Sequence, residues 1–315
     1  TYFLNWIVNS TFISSAIFII CQNEWMIMVR SKLRRRQSST ICVKSHHYKQ
    51  RVSEVRKRQH TEHEFHQVQW KINEIKIRNE EENVLLLDAG DIFQGTPYFN
   101  IYKGEPEIKA MTSLGYDATT IGNHDFDAGM ESLATQLTRH ANFPMLVCNY
   151  DFTGTAMENK TQPYKIFKKQ KLKIGVFGIG IEPKGLIPEN LFGVMKYLDP
   201  VQSANEVADQ LKRKEGCDMV ICLSHLGNKY KDKNQVSDEV LSKETENIDL
   251  IIGGHTHTFL DEPLVYKNKK NNDVIVNQVG FAGIILGRLD FEFSKFSGKK
   301  LTKNHNISVS QKTVG

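Results

Sequence analysis

An α/β fold is predicted by three observations. From residue 83 onward, short apolar runs alternate with helix-permissive stretches. Most of the runs end in glycine or polar residues, the profile of a buried strand that stops at a loop. The hydrophobic share is 40% over 315 residues, ordinary for a globular chain and enough for a sizeable core.

The elements follow in order. "VLLLDAGD" reads as a strand that ends at Asp88 to Asp91. "DATTIGNHD" supplies a strand ending at Ile121, and "FPMLVCNYD" one ending near Asn149. Further strands are read in "LKIGVFGIG" (172–180), in "CDMVICLSHLG" up to Ser224 and His225, and in "IDLIIGGHTH" up to Gly253. "DVIVNQVG" and "LGRLDFEF" (287–293) complete the set. Helices are expected over 103–113, 130–140, 200–215 and 236–245. Upstream, 51–79 holds no glycine or proline and reads as a polar helix ending near Arg78. No repeat or low-complexity block interrupts the pattern.

The amino end has a different texture. Residues 1–23 carry no charge, and 12–21 are strongly apolar. Basic residues follow at Arg30, Lys32 and Arg34 to Arg36, which suits a membrane anchor, a degraded signal sequence or a disordered leader. Membrane contact is therefore expected only through 1–36. Between Arg30 and Glu80 stand 14 Lys/Arg against five Glu, so the net charge of +5 belongs to this segment and not to the body. The first residue is Thr, which reads as a fragment or a cut chain. The five cysteines show no CxxC spacing and no disulfide framework. The basic segment lacks interleaved aromatics, so no nucleic-acid partner is expected. Oligomeric state is not legible.

Chemistry gathers at one end of the predicted strands. Asp91, Asn123, His124, His225, His255 and His257 each follow an apolar run, and in α/β sheets the carboxyl ends of strands are where sites form. Asp91 offers two oxygens and can bridge two cations. Asn123 offers a carbonyl oxygen, and His225, His255 and His257 offer imidazole nitrogens. This mixture suits Zn, Mn, Fe or Co and is too rich in nitrogen for calcium. His124 directly follows a ligand candidate and can act on a phosphoryl group as acid or charge stabiliser, with Asp127 orienting it. Taken singly, a strand-end aspartate is usually a turn or cap residue and a lone histidine a surface or core one. Asp88 and Asp125 are read that way. GDxxxG, GNHD and GHTH in succession, each after a strand, lift the others above it.

These motifs resemble the metallophosphoesterase (calcineurin-like) superfamily. More closely, "VLLLDAGDIFQGTPYF", "GYDATTIGNHDFDAG", "VICLSHLG" and "DLIIGGHTHTFLDEP" are similar to the catalytic domain of the 5'-nucleotidase family, especially its compact single-domain bacterial members. The resemblance runs from about Lys71 to about Lys300. It implies a β-sandwich flanked by helices (α-β-β-α) with the metals at strand carboxyl ends. It also implies two divalent ions. Asp91 would bridge them, Asn123, His225 and His255 would complete one site, and His257 would serve the other. His124 would be catalytic with Asp127 behind it. The implied activity is hydrolysis of a small phosphorylated substrate, a nucleotide or related phosphomonoester, in nucleotide catabolism at a periplasmic or extracellular location.

One departure qualifies the likeness. Family members open with a strand ending in Asp-x-His, and no aspartate precedes Asp88 here. The first metal site is expected to keep only Asp91 and His257. His60, His63 and His66 are read as a solvated helix surface instead of replacement ligands. Residues 1–70 are therefore expected to be an atypical leader that packs poorly and carries no site, with the domain over 71–300 and a tail over 301–315. No second, nucleoside-gripping domain fits after the last predicted strand. The alternatives to an impaired hydrolase are a non-catalytic relic that binds one metal or none, and an interaction protein that uses the basic leader on an anionic surface.

Overall fold

The computed structural model describes residues 13–21, 84–94, 97–232, 235–283, 285–294 and 298–308. The helix expected over 51–79 and the histidines His60, His63 and His66 lie outside these residues, as does the stretch that would follow an opening strand.

Two sheets stack face to face. The first contains β1 (Ile13–Cys21), β2 (Val84–Leu87), β11 (Ile285–Ser294) and β12 (Gly298–Ser308) in the order β12-β11-β1-β2. Only β1 and β2 pair in parallel. The second contains β4 (Tyr164–Lys169), β5 (Leu172–Ile179), β7 (Met219–Ser224), β8 (Leu250–Gly253), β9 (Leu264–Lys267) and β10 (Asp273–Asn277) in the order β4-β5-β7-β8-β10-β9. Its four inner strands run parallel, and the edge strands β4 and β9 are antiparallel. A two-stranded ladder joins β3 (Tyr150–Asp151) to β6 (Lys196–Tyr197).

Side-chain alternation decides which face each strand shows. Leu85 and Leu87 of β2 meet Met219, Ile221 and Leu223 of β7 and Leu289 and Phe291 of β11 between the sheets. Val84 and Leu86 point the other way, against α2 (Glu105–Leu114) and α3 (Met130–His140). Val220 and Cys222 likewise face α5 (Pro200–Asp209) and α6 (Asp238–Glu244). Two short helices, α1 (Pro97–Tyr102) and α4 (Glu189–Phe192), complete the helical layers. The result is the α-β-β-α sandwich expected from the sequence. Removing one fully buried side chain between the sheets, such as Ile221, costs about 2–5 kcal/mol.

Several expectations need correction. Residues 13–21 form no loose leader: β1 lies between β11 and β2, with Ile17–Ile20 in parallel register against Val84–Leu87. Its sequence is a nearly continuous apolar run, which by itself is easily taken for an anchor. Among the described residues no helix is long and apolar enough to cross a membrane. The tail expected from 301 is part of β12, paired along β11 from Gly298 to Ser308. Its lysines and asparagines hid it, a composition typical of sheet edges. The strands expected to end at Ile121 and near Asn149 are reduced to single bridges, Leu87 to Ala118 and Thr119 to Met145. Asp117 and Thr120 spend side-chain bonds on the backbone there, at Leu86 N and Leu146 O. The helix expected over 200–215 keeps its start but ends as a wider π turn over Gln210–Lys214.

Candidate metal centre

Each site loop leaves the carboxyl end of a strand or of a strand-like bridge. Asp91 follows β2, Asn123 and His124 follow the bridge at Ala118 and Thr119, His225 follows β7 and His255 follows β8. One donor atom each from Asp91, His225 and His255 falls within 4.8 Å of the others. Asn123 joins them, its Oδ1 lying 2.9 Å from His255 Nδ1.

Tight backbone makes the approach feasible. Gly90 adopts φ +86, and a Cβ on Gly122 would sit 2.1 Å from Asp91 Oδ1. Asp91 (φ 58), Gln94 (φ 84), His255 (φ 68) and His257 (φ 52) are all left-handed. Elsewhere that conformation falls partly on Asn159, Asn247 and Asn271, whose short side chains tolerate it. Such strain costs about 1–3 kcal/mol per residue and persists where surrounding contacts impose it.

The electrostatics suit a cation. His225 is fully buried, and its Nδ1 lies 2.7 Å from the Ala89 carbonyl. In the neutral ring, an N–H donated there leaves Nε2 with its lone pair. Nε2 lies 2.9 Å from Asp91 Oδ2 but off the line of a hydrogen bond, and is without a hydrogen-bond partner among the described residues. Burial opposes charge on this ring, yet Asp91 outweighs it and lifts the imidazole to about 9. Burial likewise works to raise Asp91, and His225 outweighs it, holding the carboxyl below the usual range. Burial and then the charge of His225 press His255 down to about 4, so it stays neutral and able to give its lone pair. A buried carboxylate, two imidazoles, an amide oxygen and an orphaned ring nitrogen fit a divalent ion.

The other residues singled out in the sequence divide. His124 Nδ1 pairs with Asp127 Oδ2 at 2.8 Å, and the His124 ring is 44% exposed. His257 is not one of the three converging donors; its ring stacks on Phe281 with centroids 5.0 Å apart. Sequence reasoning missed Gln94, whose amide donates to the same Asp127 oxygen as His124. It missed Gln278, whose Oε1 accepts from Thr258 N and Thr256 Oγ1 while its amide donates to Gly254 O, so it pins the His255 loop from both sides. It also passed over two buried acids. Asp88 accepts from Gly90 N and Thr119 Oγ1, and burial pushes it to about 7. Asp125 accepts backbone bonds from both ligand loops. A strand-end amide at Gln278 was the one available signal; the acids look like ordinary turn residues.

The chain is similar to known proteins. Residues 46–259 match the calcineurin-like phosphoesterase family. The 5'-nucleotidase of Vibrio cholerae is 37% identical over 232 residues, covering 67% of this chain and 41% of that protein. The snake venom 5'-nucleotidase of Gloydius brevicauda is 33% identical over 258 residues, covering 75% and 42%. The chain thus spans less than half the length of these relatives. Among solved structures, the Haemophilus influenzae NAD nucleotidase superposes with a TM-score of 0.72 at 23% identity, over 94% of this chain and 50% of that one. The Thermus thermophilus 5'-nucleotidase precursor gives 0.72 at 24%, over 94% and 54%. At such identities the superpositions speak to fold, while the family match covers most of the chain and contains every residue of the donor cluster. The chain belongs to the calcineurin-like phosphoesterase family.

Proposed function

We propose that the chain is a metal-dependent phosphoric monoester hydrolase of the 5'-nucleotidase type, acting on a nucleotide. The observation that carries this reading is the meeting of Asp91, His225 and His255 within 4.8 Å beside the His124–Asp127 pair. Asp91, Asn123, His225 and His255 would hold a divalent ion, of the Zn, Mn, Fe or Co class by donor type. Such an ion supplies Lewis-acid polarisation of a phosphoryl group and an activated water. His257 would serve a second ion.

The protein's own groups do the rest. Asp127 fixes the His124 ring through Nδ1. A protonated Nε2 can give its proton to the departing ester oxygen, or offset charge building on the phosphoryl oxygens. Gln94 keeps the Asp127 carboxylate in place. The two curated relatives described above are named 5'-nucleotidases, which supports a nucleotide as substrate. A venom enzyme among them supports a site of action outside the cell.

The test is phosphate release from AMP and from p-nitrophenyl phosphate with Mn or Zn added. His124→Ala should suppress release on both; turnover equal to that of the unchanged chain removes the role of His124. A second reading, a relic that holds one ion without catalysis, is favoured by the single donor cluster among the described residues. About one equivalent of bound metal without phosphate release would select it.

A further inference from the structure

We infer that Asp125 is the positioning residue that gives Asp91 its ion-binding geometry, by tying the two ligand loops into one brace; this rests on the metal reading above. The Asp125 carboxylate is fully buried and accepts four backbone N–H groups. Oδ2 takes Gly122 N at 2.8 Å and Asp91 N at 3.1 Å. Oδ1 takes Ile92 N at 2.8 Å and Phe93 N at 3.3 Å. The brace is reciprocal, because Asp91 Oδ1 accepts His124 N at 2.8 Å across the same gap.

The consequence concerns Asp91 more than overall folding. Asp91 is held at φ 58, which turns its carboxylate toward His225. Left-handed backbone at a non-glycine residue costs about 1–3 kcal/mol unless contacts impose it. Three successive N–H groups, from 91 to 93, terminate on one side chain, and that is the contact that imposes it. Gly122, the fourth donor, is the residue whose missing side chain lets Asp91 Oδ1 into place. Asparagine cannot substitute. Both oxygens are occupied by two donors each, so either orientation of an amide sets an NH₂ against two N–H groups.

Titration of the full-length, metal-free chain with Mn²⁺ tests this, alongside its melting temperature without metal. Asn149 is the control. It is equally buried, it accepts from Gly180 N and donates to Gly180 O, and it touches no ligand loop. D125N should bind Mn²⁺ about 10–100-fold more weakly than the unchanged chain, while N149A lowers the melting temperature and leaves affinity within about twofold. D125N within about twofold of the unchanged chain, or N149A weakening binding as much as D125N, overturns the inference. If D125N fails to fold, D125E replaces it with the same expected loss and the same overturning result. Phosphate release plays no part, so an inactive chain that binds Mn²⁺ sinks the proposed hydrolysis alone. An unchanged chain that binds no Mn²⁺ removes both.

Discussion

Two groups of charged side chains look alike on paper and behave differently. Around Glu246, Lys270 Nζ lies 2.5 Å away and Arg213 3.9 Å away, with Arg213 also 2.8 Å from Asp209. These side chains are 34–60% exposed. Around Asp91, His225 at 0% and Asp91 at 5% are nearly closed to solvent, and His255 is half-buried. Water screens the first group, whose opposite charges are already matched. In the second, screening is absent, one imidazole is driven up and another down, and a ring nitrogen stays unsatisfied. Proximity of charge does not mark a site; several buried donors converging on one point, one of them left unpaired, do.

That contrast can be broken at its strong end first. Asp91→Ala should lower Mn²⁺ affinity by more than about 100-fold in a titration, beyond what loss of a supporting residue does. If the proposed role holds, His124→Ala should cut phosphate release by about 10²–10⁴-fold while Mn²⁺ binding persists.

Glu107 gives a third case, a buried charge with no chemistry attached. Its carboxylate oxygens have no hydrogen-bond partner among the described residues, and burial raises it to about 7 from a usual 4.5. The folded chain therefore keeps a proton that the unfolded chain releases, and stability should fall as pH rises from about 4.5 to about 7. A shift of that size corresponds to roughly 3–4 kcal/mol. In thermal melts across that window, Glu107→Gln should flatten the slope; an unchanged slope would mean the charge is relieved some other way. At the weak end, Glu246→Gln should leave the melting temperature unmoved at physiological salt, since exposed pairs contribute little. A clear shift there would erase the contrast.

How much of this was legible follows from what each residue does. Asp91, Asn123, His225 and His255 act through side chains placed just after apolar strands, so position and residue type both announced them. Asp125, Gln94 and Gln278 act by accepting or donating to backbone and neighbours brought in by the fold, and their partners lie 33, 33 and 24 residues away. Apart from the strand-end position of Gln278, nothing local distinguishes them from turn residues. The α/β class was legible in apolar runs such as β2 and β7, and the sandwich followed from the family resemblance. Its edges were not: β4, β9 and β12 are polar enough to pass for loops, and β1 is apolar enough to pass for an anchor.

The place of β1 has a consequence for biosynthesis. Residues 13–21 leave the ribosome long before one of their two neighbours, Leu286 to Ser294. Until then the nascent segment has only β2 to lie against, and one long apolar edge stays open. The first sheet therefore closes only once β11 has been made, and a chain cut before β11 should leave β1 without one of its two partners.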